Sequence, residues 1–273
     1  MVLSNSNLKT SLLVVFGFLV MLVLPLDKLF EPFSLMEFQQ DRLGDAWKNI
    51  FIMIYGYLLI KTYGYTKIFR LLNFRPRHAF LVIISLYFLL LGPIEYALRD
   101  FNFTNIQTVN VLILLFSMIT VGFSEELIFR GFVLPKLNEE APSKQSLVVP
   151  LVYSSLLFGV LHFLNLLRPD SYFPLVFSQV LYAAFFGIAF GVILLRTGSI
   201  LPLGFIHGLI NFPFNWDDLL GTVATLKTNL FMYYEAILSV PVVLPFLTFI
   251  LIQVKKIDRL TLLKKYYHNT LST

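Results

Sequence analysis

Residues 106–131 read IQTVNVLILLFSMITVGFSEELIFRG, a long apolar run that ends in charged residues. An apolar run with few polar interruptions ends at two adjacent acids, Glu125 and Glu126, and Arg130 follows the second acid by four residues. A helix that spans a membrane needs about 20 predominantly apolar residues, and the run has that length. It therefore predicts a membrane-spanning helix that carries ionisable groups at one end.

The composition of the whole chain agrees with a membrane protein. Of its 273 residues, 57% are hydrophobic and 14% are charged, whereas soluble domains have about 45–50% apolar and about 25% charged residues. The sequence contains no cysteine, which excludes disulfides, thiolate zinc sites and a cysteine nucleophile. The net charge of +5 indicates basic cytoplasmic loops, so we expect the lipid bilayer and not a nucleic acid as the partner.

Apolar segments recur along the whole chain, separated by short polar joints. They predict an all-α fold, a polytopic bundle of about eight transmembrane helices that forms a single integral membrane domain, 1–273. The predicted spans are 11–26, 47–60, 79–98, 106–123, 147–167, 173–195, 200–214 and 231–254. Most of the 21 Lys and Arg residues fall on one side of this arrangement, which predicts that both termini are cytoplasmic.

The acids at the end of the fourth span are the first group that requires an explanation, because ionisable side chains inside a membrane are costly. Glu126 and Arg130 lie four residues apart with the acid first, the favourable order for an ion pair on one helix face. Glu125 points about 100° away and has Ile128 and Phe129 as its local neighbours. We therefore expect Glu125 to be the unpaired acid, suited to act as a general base.

Two histidines lie within predicted spans, and each has a notable neighbour one helical turn away. His162 follows Phe158 by four residues in the fifth span, and His207 precedes Asn211 by four residues in the seventh. Residues spaced in this way project from the same face of a helix. One glutamate, two histidines and an amide on three helices are a set that activates water or binds a metal.

Two glycines accompany the second histidine. Gly204 and Gly208 are also four residues apart, and small residues at this spacing permit close approach of two membrane helices. We therefore expect the seventh segment to pack tightly against another helix.

Taken in order, the motifs Glu125-Glu126-x-x-x-Arg130, Phe158-x-x-x-His162 and His207-x-x-x-Asn211 resemble the CAAX protease and bacteriocin-processing family of intramembrane glutamate endopeptidases, also called the Abi family. The resemblance covers a catalytic core of about 106–214 and implies a multi-pass plasma membrane protein, which we expect to be bacterial. The implied reaction is hydrolysis of a peptide bond in a cavity open toward the cytoplasmic side.

The resemblance also implies roles for individual residues. Glu125 is expected to activate water, with His162 helping to position it, while His207 and Asn211 stabilise the oxyanion. Glu126 and Arg130 are expected to hold the helix end and aim Glu125, and Phe158 is expected to support the site.

The sequence leaves several alternatives open. The metal-free reaction needs no cofactor, but Glu125, His162 and His207 are also ligands that a catalytic zinc accepts. The expected substrate is a membrane-embedded or lipidated peptide or protein. The alternative functions are a non-enzymatic bacteriocin-immunity or scaffold protein and a small proton- or ion-coupled transporter.

Overall fold

A computed structural model describes residues 5–71, 90, 106–139, 148–167, 171–216, 219 and 248. Within these ranges the secondary structure is entirely helical, without strands, as the sequence predicts. The α-helices are α1 (Asn5–Leu22), α2 (Glu37–Thr62), α3 (Thr108–Glu126), α4 (Leu134–Asn138), α5 (Val148–Leu161), α6 (Phe173–Thr197) and α7 (Leu201–Phe214). Short 3-10 helices cover Leu26–Phe30, Thr66–Phe69 and His162–Leu167, and a π-helix covers Leu127–Val133.

Four segments among the described residues are long and apolar enough to cross a membrane: Asn5–Leu22, Thr108–Asn138, Val148–Leu167 and Phe173–Thr197. They correspond to the first, fourth, fifth and sixth predicted spans. The seventh predicted span is the shorter apolar helix α7. The third and eighth predicted spans, 79–98 and 231–254, lie outside the described residues apart from single positions.

The second predicted span has different boundaries in the structure. Helix α2 has 26 residues and begins at Glu37, ten residues before the predicted start at Trp47. Its first turns carry Glu37, Asp41 and Asp45, and this polar content keeps α2 outside the four membrane-length apolar segments. The predicted boundary followed the apolar run, whereas the helix continues through polar residues on the same axis.

Helices α3 and α7 cross at close range because three glycines meet there. A Cβ atom added to Gly122 would lie 2.5 Å from both the carbonyl oxygen of Gly204 and the amide nitrogen of Gly208. A Cβ atom on Gly208 would lie 2.6 Å from the Cα of Ile119. The close approach expected from Gly204 and Gly208 is therefore confirmed, and α3 is the partner helix.

Helices α5 and α6 form a second tight pair. A Cβ atom on Gly159 would meet the carbonyl oxygen of Val180 at 2.7 Å, and one on Gly187 would meet the Cβ of Ser155 at the same distance. The π-helix lies between the two pairs, and all seven of its residues are buried. The Oγ of Ser154 donates a hydrogen bond of 3.1 Å to the carbonyl of Phe129, which satisfies one π-helical acceptor.

The turn between α6 and α7 is fixed by the segment that follows α2. Gly198 closes α6 with a φ of 68°, a left-handed conformation that glycine adopts without strain. The guanidinium of Arg70 donates to the carbonyl of Thr197 at 2.8 Å, and the Oγ of Ser199 donates to the carbonyl of Arg70 at 2.7 Å. These contacts set the start of α7, the helix that carries His207.

Candidate active site

The acidic pair lies where α3 changes from an α-helix to a π-helix. Glu126 is the last residue of α3, and Arg130 is in the middle of the π-helix. The Nη1 of Arg130 lies 3.1 Å from the Oε1 of Glu126, and the two side chains are 1% and 0% exposed. The predicted ion pair is therefore present, and it is fully buried.

Aromatic rings surround the guanidinium of Arg130. Its central carbon lies 4.3 Å from the ring centroid of Phe158 on α5 and 5.7 Å from that of Phe190 on α6. Within the described part of the chain, neither Nη atom of Arg130 has a hydrogen-bond partner with good geometry, nor does the Oε2 of Glu126. The charge of Arg130 is thus balanced by one carboxylate and by ring faces, which attract cations.

His207 lies between the two glutamates. Its Nδ1 is 2.9 Å from the Oε1 of Glu126, a hydrogen bond, and its Nε2 is 3.4 Å from the Oε2 of Glu125. Its ring also contacts Phe158 at 5.9 Å and Phe190 at 5.2 Å between centroids. One imidazole therefore connects both acids and rests on rings from α5 and α6.

This position adds a neighbour to Glu125 that the local sequence does not show. Along α3 the neighbours of Glu125 are apolar, and His207 of α7 reaches it across the glycine crossing. The side chain of Glu125 is 19% exposed, compared with 0% for Glu126. Glu125 is thus the accessible acid of the pair, and Glu126 is the enclosed one.

His162 lies at a change of helix type. Helix α5 ends at Leu161, and His162 begins the 3-10 helix that completes the apolar segment Val148–Leu167, so it lies within the fifth span as predicted. Its Nδ1 is 3.0 Å from the carbonyl oxygen of Phe158, and its ring packs edge-on against that of Phe158. Glu125, Arg130 and His207 are close enough to act on His162 electrostatically, so the structure brings it to the same site.

Asn211 is the candidate residue with the weakest connection to this cluster. It follows His207 by one turn of α7 and is partly buried. Its carbonyl accepts a hydrogen bond of 2.9 Å from the side chain of Asn215. Within the described ranges, the amide of Asn211 makes no hydrogen bond to either glutamate or either histidine.

The sequence suggests Glu125, His162 and His207 as ligands of a zinc ion. No three His, Cys, Asp or Glu side chains in the described ranges are arranged to hold a metal, and this includes Glu125, His162 and His207.

Several residues that shape the site belong to none of the three sequence motifs. Phe190 forms part of the aromatic wall, and Ser154 supports the π-helix. The Oγ of Ser124, next to Glu125, donates a hydrogen bond of 2.6 Å to the Oδ1 of Asn49 on α2. A buried polar residue in an apolar helix was the available signal for Asn49 and Ser154, but its partner is not evident from the sequence.

Comparison with known proteins shows a similarity over the segment that contains this site. The family model described as type II CAAX prenyl endopeptidase Rce1-like matches residues 107–213, a segment that includes Glu125, His162 and His207. No curated protein and no solved structure matches the chain. Enzymes of this type are endopeptidases, and the matched segment coincides with the predicted core 106–214. Residues 107–213 are therefore similar to the type II CAAX prenyl endopeptidase Rce1-like family, and this similarity supports membership of the CAAX protease and bacteriocin-processing family.

Proposed function

We propose that this protein is an intramembrane endopeptidase that hydrolyses a peptide bond with water activated by Glu125. The observation that carries the proposal is the position of His207 between an enclosed glutamate and an accessible one. A base that is reachable by water, next to an oriented imidazole, is an arrangement suited to acyl transfer.

In the proposed first step, Glu125 removes a proton from water while the water oxygen attacks the carbonyl carbon of the substrate. A carbon–oxygen bond forms, and the carbonyl oxygen takes up the negative charge. In the second step the carbon–nitrogen bond breaks, and Glu125 returns its proton to the departing amine. The products are a new carboxylate terminus and a new amino terminus, and Glu125 is regenerated.

The negative charge on the carbonyl oxygen requires hydrogen-bond donors, which we assign to His207 and Asn211. To donate to the substrate oxygen, the imidazole of His207 must carry a proton on both nitrogens: Nδ1–H donates to Glu126, and Nε2–H is directed toward Glu125 and the substrate. The Nε2 to Oε2 distance of 3.4 Å is long compared with about 2.7–2.9 Å for a charge-assisted hydrogen bond. The Nε2 position is therefore not committed to Glu125 and remains free to serve the substrate oxygen.

The other motif residues hold the reacting groups in position. Arg130 holds the carboxylate of Glu126, which in turn orients His207. Phe158 packs against both histidines and the guanidinium, so it fixes three side chains at once. His162 has one ring nitrogen at a backbone carbonyl, which leaves Nε2 to position the attacking water.

The reaction proposed is metal-free. Among the described residues, no three His, Cys, Asp or Glu side chains are arranged to hold a metal ion, which supports this. Activity of the purified protein should be unchanged after dialysis against EDTA and 1,10-phenanthroline. A loss of activity that zinc restores would overturn the metal-free reaction.

The substrate class is proposed from the apolar helices that carry the site. His207 lies six residues into α7, or about 9 Å along the axis from the helix start at Leu201. We propose that the substrate is a membrane-embedded or lipidated peptide or protein, reached from the cytoplasmic side of a bacterial plasma membrane. The apolar helices around the site suit a substrate that is already in the bilayer.

The test is a comparison of peptide termini by mass spectrometry in membranes that contain the wild-type protein or Glu125→Gln at matched abundance. The proposal predicts new amino and carboxyl termini that occur only with the wild type. Identical termini in both samples, with both proteins folded, would overturn it and favour the immunity or transport alternatives.

A further inference from the structure

A pair of carboxamides lies beside the candidate active site and is not used in the reaction proposed above. The Nδ2 of Asn165, in the 3-10 helix after α5, donates a hydrogen bond of 2.7 Å to the Oε1 of Gln179 on α6. Both side chains are partly buried. Placing polar side chains inside a membrane protein costs free energy, so a pair of them at this position suggests a function.

The pair is on the same faces as residues of the site. Side chains three residues apart in a 3-10 helix eclipse one another, so Asn165 projects in the direction of His162, about 6 Å further along the axis. Gln179 precedes Phe190 by about three turns on α6 and shares its face. Asn165 and Gln179 thus extend the two walls that carry His162 and Phe190.

The hydrogen bond between the amides leaves complementary groups unused. Asn165 retains its Oδ1 acceptor and Gln179 retains its Nε2 donor, and neither side chain makes another hydrogen bond within the described residues. If both amides were rotated by 180°, one acceptor and one donor would still remain. An extended peptide offers the matching groups, a backbone N–H and a backbone C=O.

We propose that Asn165 and Gln179 bind the main chain of the peptide substrate beside the scissile bond. An extended chain rises by about 3.3 Å per residue, so the separation of about 6 Å from His162 places the pair about two residues away from the cleaved bond. This inference rests on the proposed endopeptidase function. It adds a subsite that binds the main chain of the substrate and not its side chains. Such a subsite tolerates many sequences.

The test uses a panel of internally quenched peptides and the purified protein in liposomes. For the peptide that is cleaved fastest, Asn165→Ala and Gln179→Ala should each raise KM about fivefold and leave kcat within twofold. The matched control is Gln39→Ala, which breaks another carboxamide pair, Gln39 to Asn110 at 2.9 Å, near the opposite end of α3. Its KM should equal that of the wild type.

A second arm identifies the substrate group involved. Single N-methylation of the peptide, placed in turn at each bond within three residues of the cleavage site, removes one backbone donor at a time. One position should raise KM in the wild type but not further in Asn165→Ala. Additive effects at every position, or a KM within twofold of wild type in both alanine variants, would overturn the inference.

The outcome also separates this inference from the proposed function. If the wild type cleaved no peptide in the panel, the endopeptidase proposal would fail, and binding of the same peptides would be measured by fluorescence anisotropy. Equal affinity of the wild type and Asn165→Ala/Gln179→Ala would overturn the subsite. Weaker binding by the double variant would support it independently of cleavage.

Discussion

Replacing Glu126 with glutamine, alone and together with a change at Arg130, separates the contribution of Glu126 to stability from its contribution to catalysis. Glu126 balances the charge of Arg130 and accepts the Nδ1 proton of His207, and both contacts are buried. Glutamine has nearly the same shape but no charge, so Arg130 becomes an unpaired cation at 1% exposure. Breaking a buried ion pair from one side costs about 3–5 kcal/mol of folding free energy.

The double variant Glu126→Gln/Arg130→Met provides the contrast. Removing both charges of a buried pair is often neutral, because the desolvation cost of each ion disappears with the ion. Methionine also keeps an apolar chain against the rings of Phe158 and Phe190. The free energy of unfolding should therefore return to within about 1–2 kcal/mol of the wild type.

The double variant should regain stability but not peptidase activity. In the double variant the Nδ1 of His207 faces a neutral amide, so the carboxylate that orients the imidazole is missing. Loss of a comparable orienting carboxylate reduces turnover by about 10⁴-fold in a well-studied hydrolase. Unfolding of the purified variants in mixed micelles gives the stability, and cleavage of a quenched peptide gives the rate.

Two results would refute this reasoning. If the destabilisation of Glu126→Gln and Arg130→Met simply added in the double variant, the two charges would not form an energetically coupled pair. If the stable double variant cleaved peptide at a rate within threefold of the wild type, Glu126 would have no role in orienting His207. Either result would remove Glu126 from the proposed arrangement.

Further predictions concern packing, the oxyanion and charge. Gly208→Ala places a Cβ 2.6 Å from the α3 backbone, so overpacking should cost about 1–3 kcal/mol in an unfolding assay, and turnover should fall as His207 moves. Asn211→Ala should reduce kcat by about 10²–10³-fold without a lower melting temperature, and a rate within threefold of wild type would exclude it as an oxyanion donor. Burial raises the pKa of the Asp41 carboxyl, and the nearby charges of Glu37 and Asp45 raise it further. Asp41 lies before the predicted span 47–60. Because the charged carboxylate is disfavoured in the folded state, it destabilises the folded protein at neutral pH. Asp41→Asn should thus stabilise the protein at pH 7, and the difference should vanish below pH about 3.8, where the carboxyl is protonated in both states. No gain in melting temperature at pH 7 would contradict this.

The sequence was sufficient for those features that depend on local spacing. The apolar runs predicted the helical fold, and the four-residue spacing predicted the Glu126 to Arg130 pair, because both are set by the geometry of one helix. Gly204 and Gly208 predicted a close helix crossing for the same reason. These features require no knowledge of which helices are neighbours.

The remaining features depend on contacts between helices far apart in the chain. The position of His207 between Glu125 and Glu126 requires the α3 to α7 crossing, so the apolar local sequence around Glu125 does not reveal that His207 lies beside it. The π-helix at Leu127–Val133 widens the end of α3 through tertiary packing, which leaves no clear pattern in the sequence. The start of α2 was placed too late because its polar first turns hide the helix from a hydropathy reading.

The central claim is that Glu125 activates water for peptide hydrolysis, and an isotope measurement tests it most directly. Purified wild-type protein and Glu125→Gln, both shown to be folded, are incubated with the quenched peptide in H₂¹⁸O, and the products are analysed by mass spectrometry. The wild type should cleave the peptide and incorporate one ¹⁸O into the new carboxylate, while Glu125→Gln should form no product. Equal ¹⁸O-labelled product from both proteins would show that Glu125 does not activate the water.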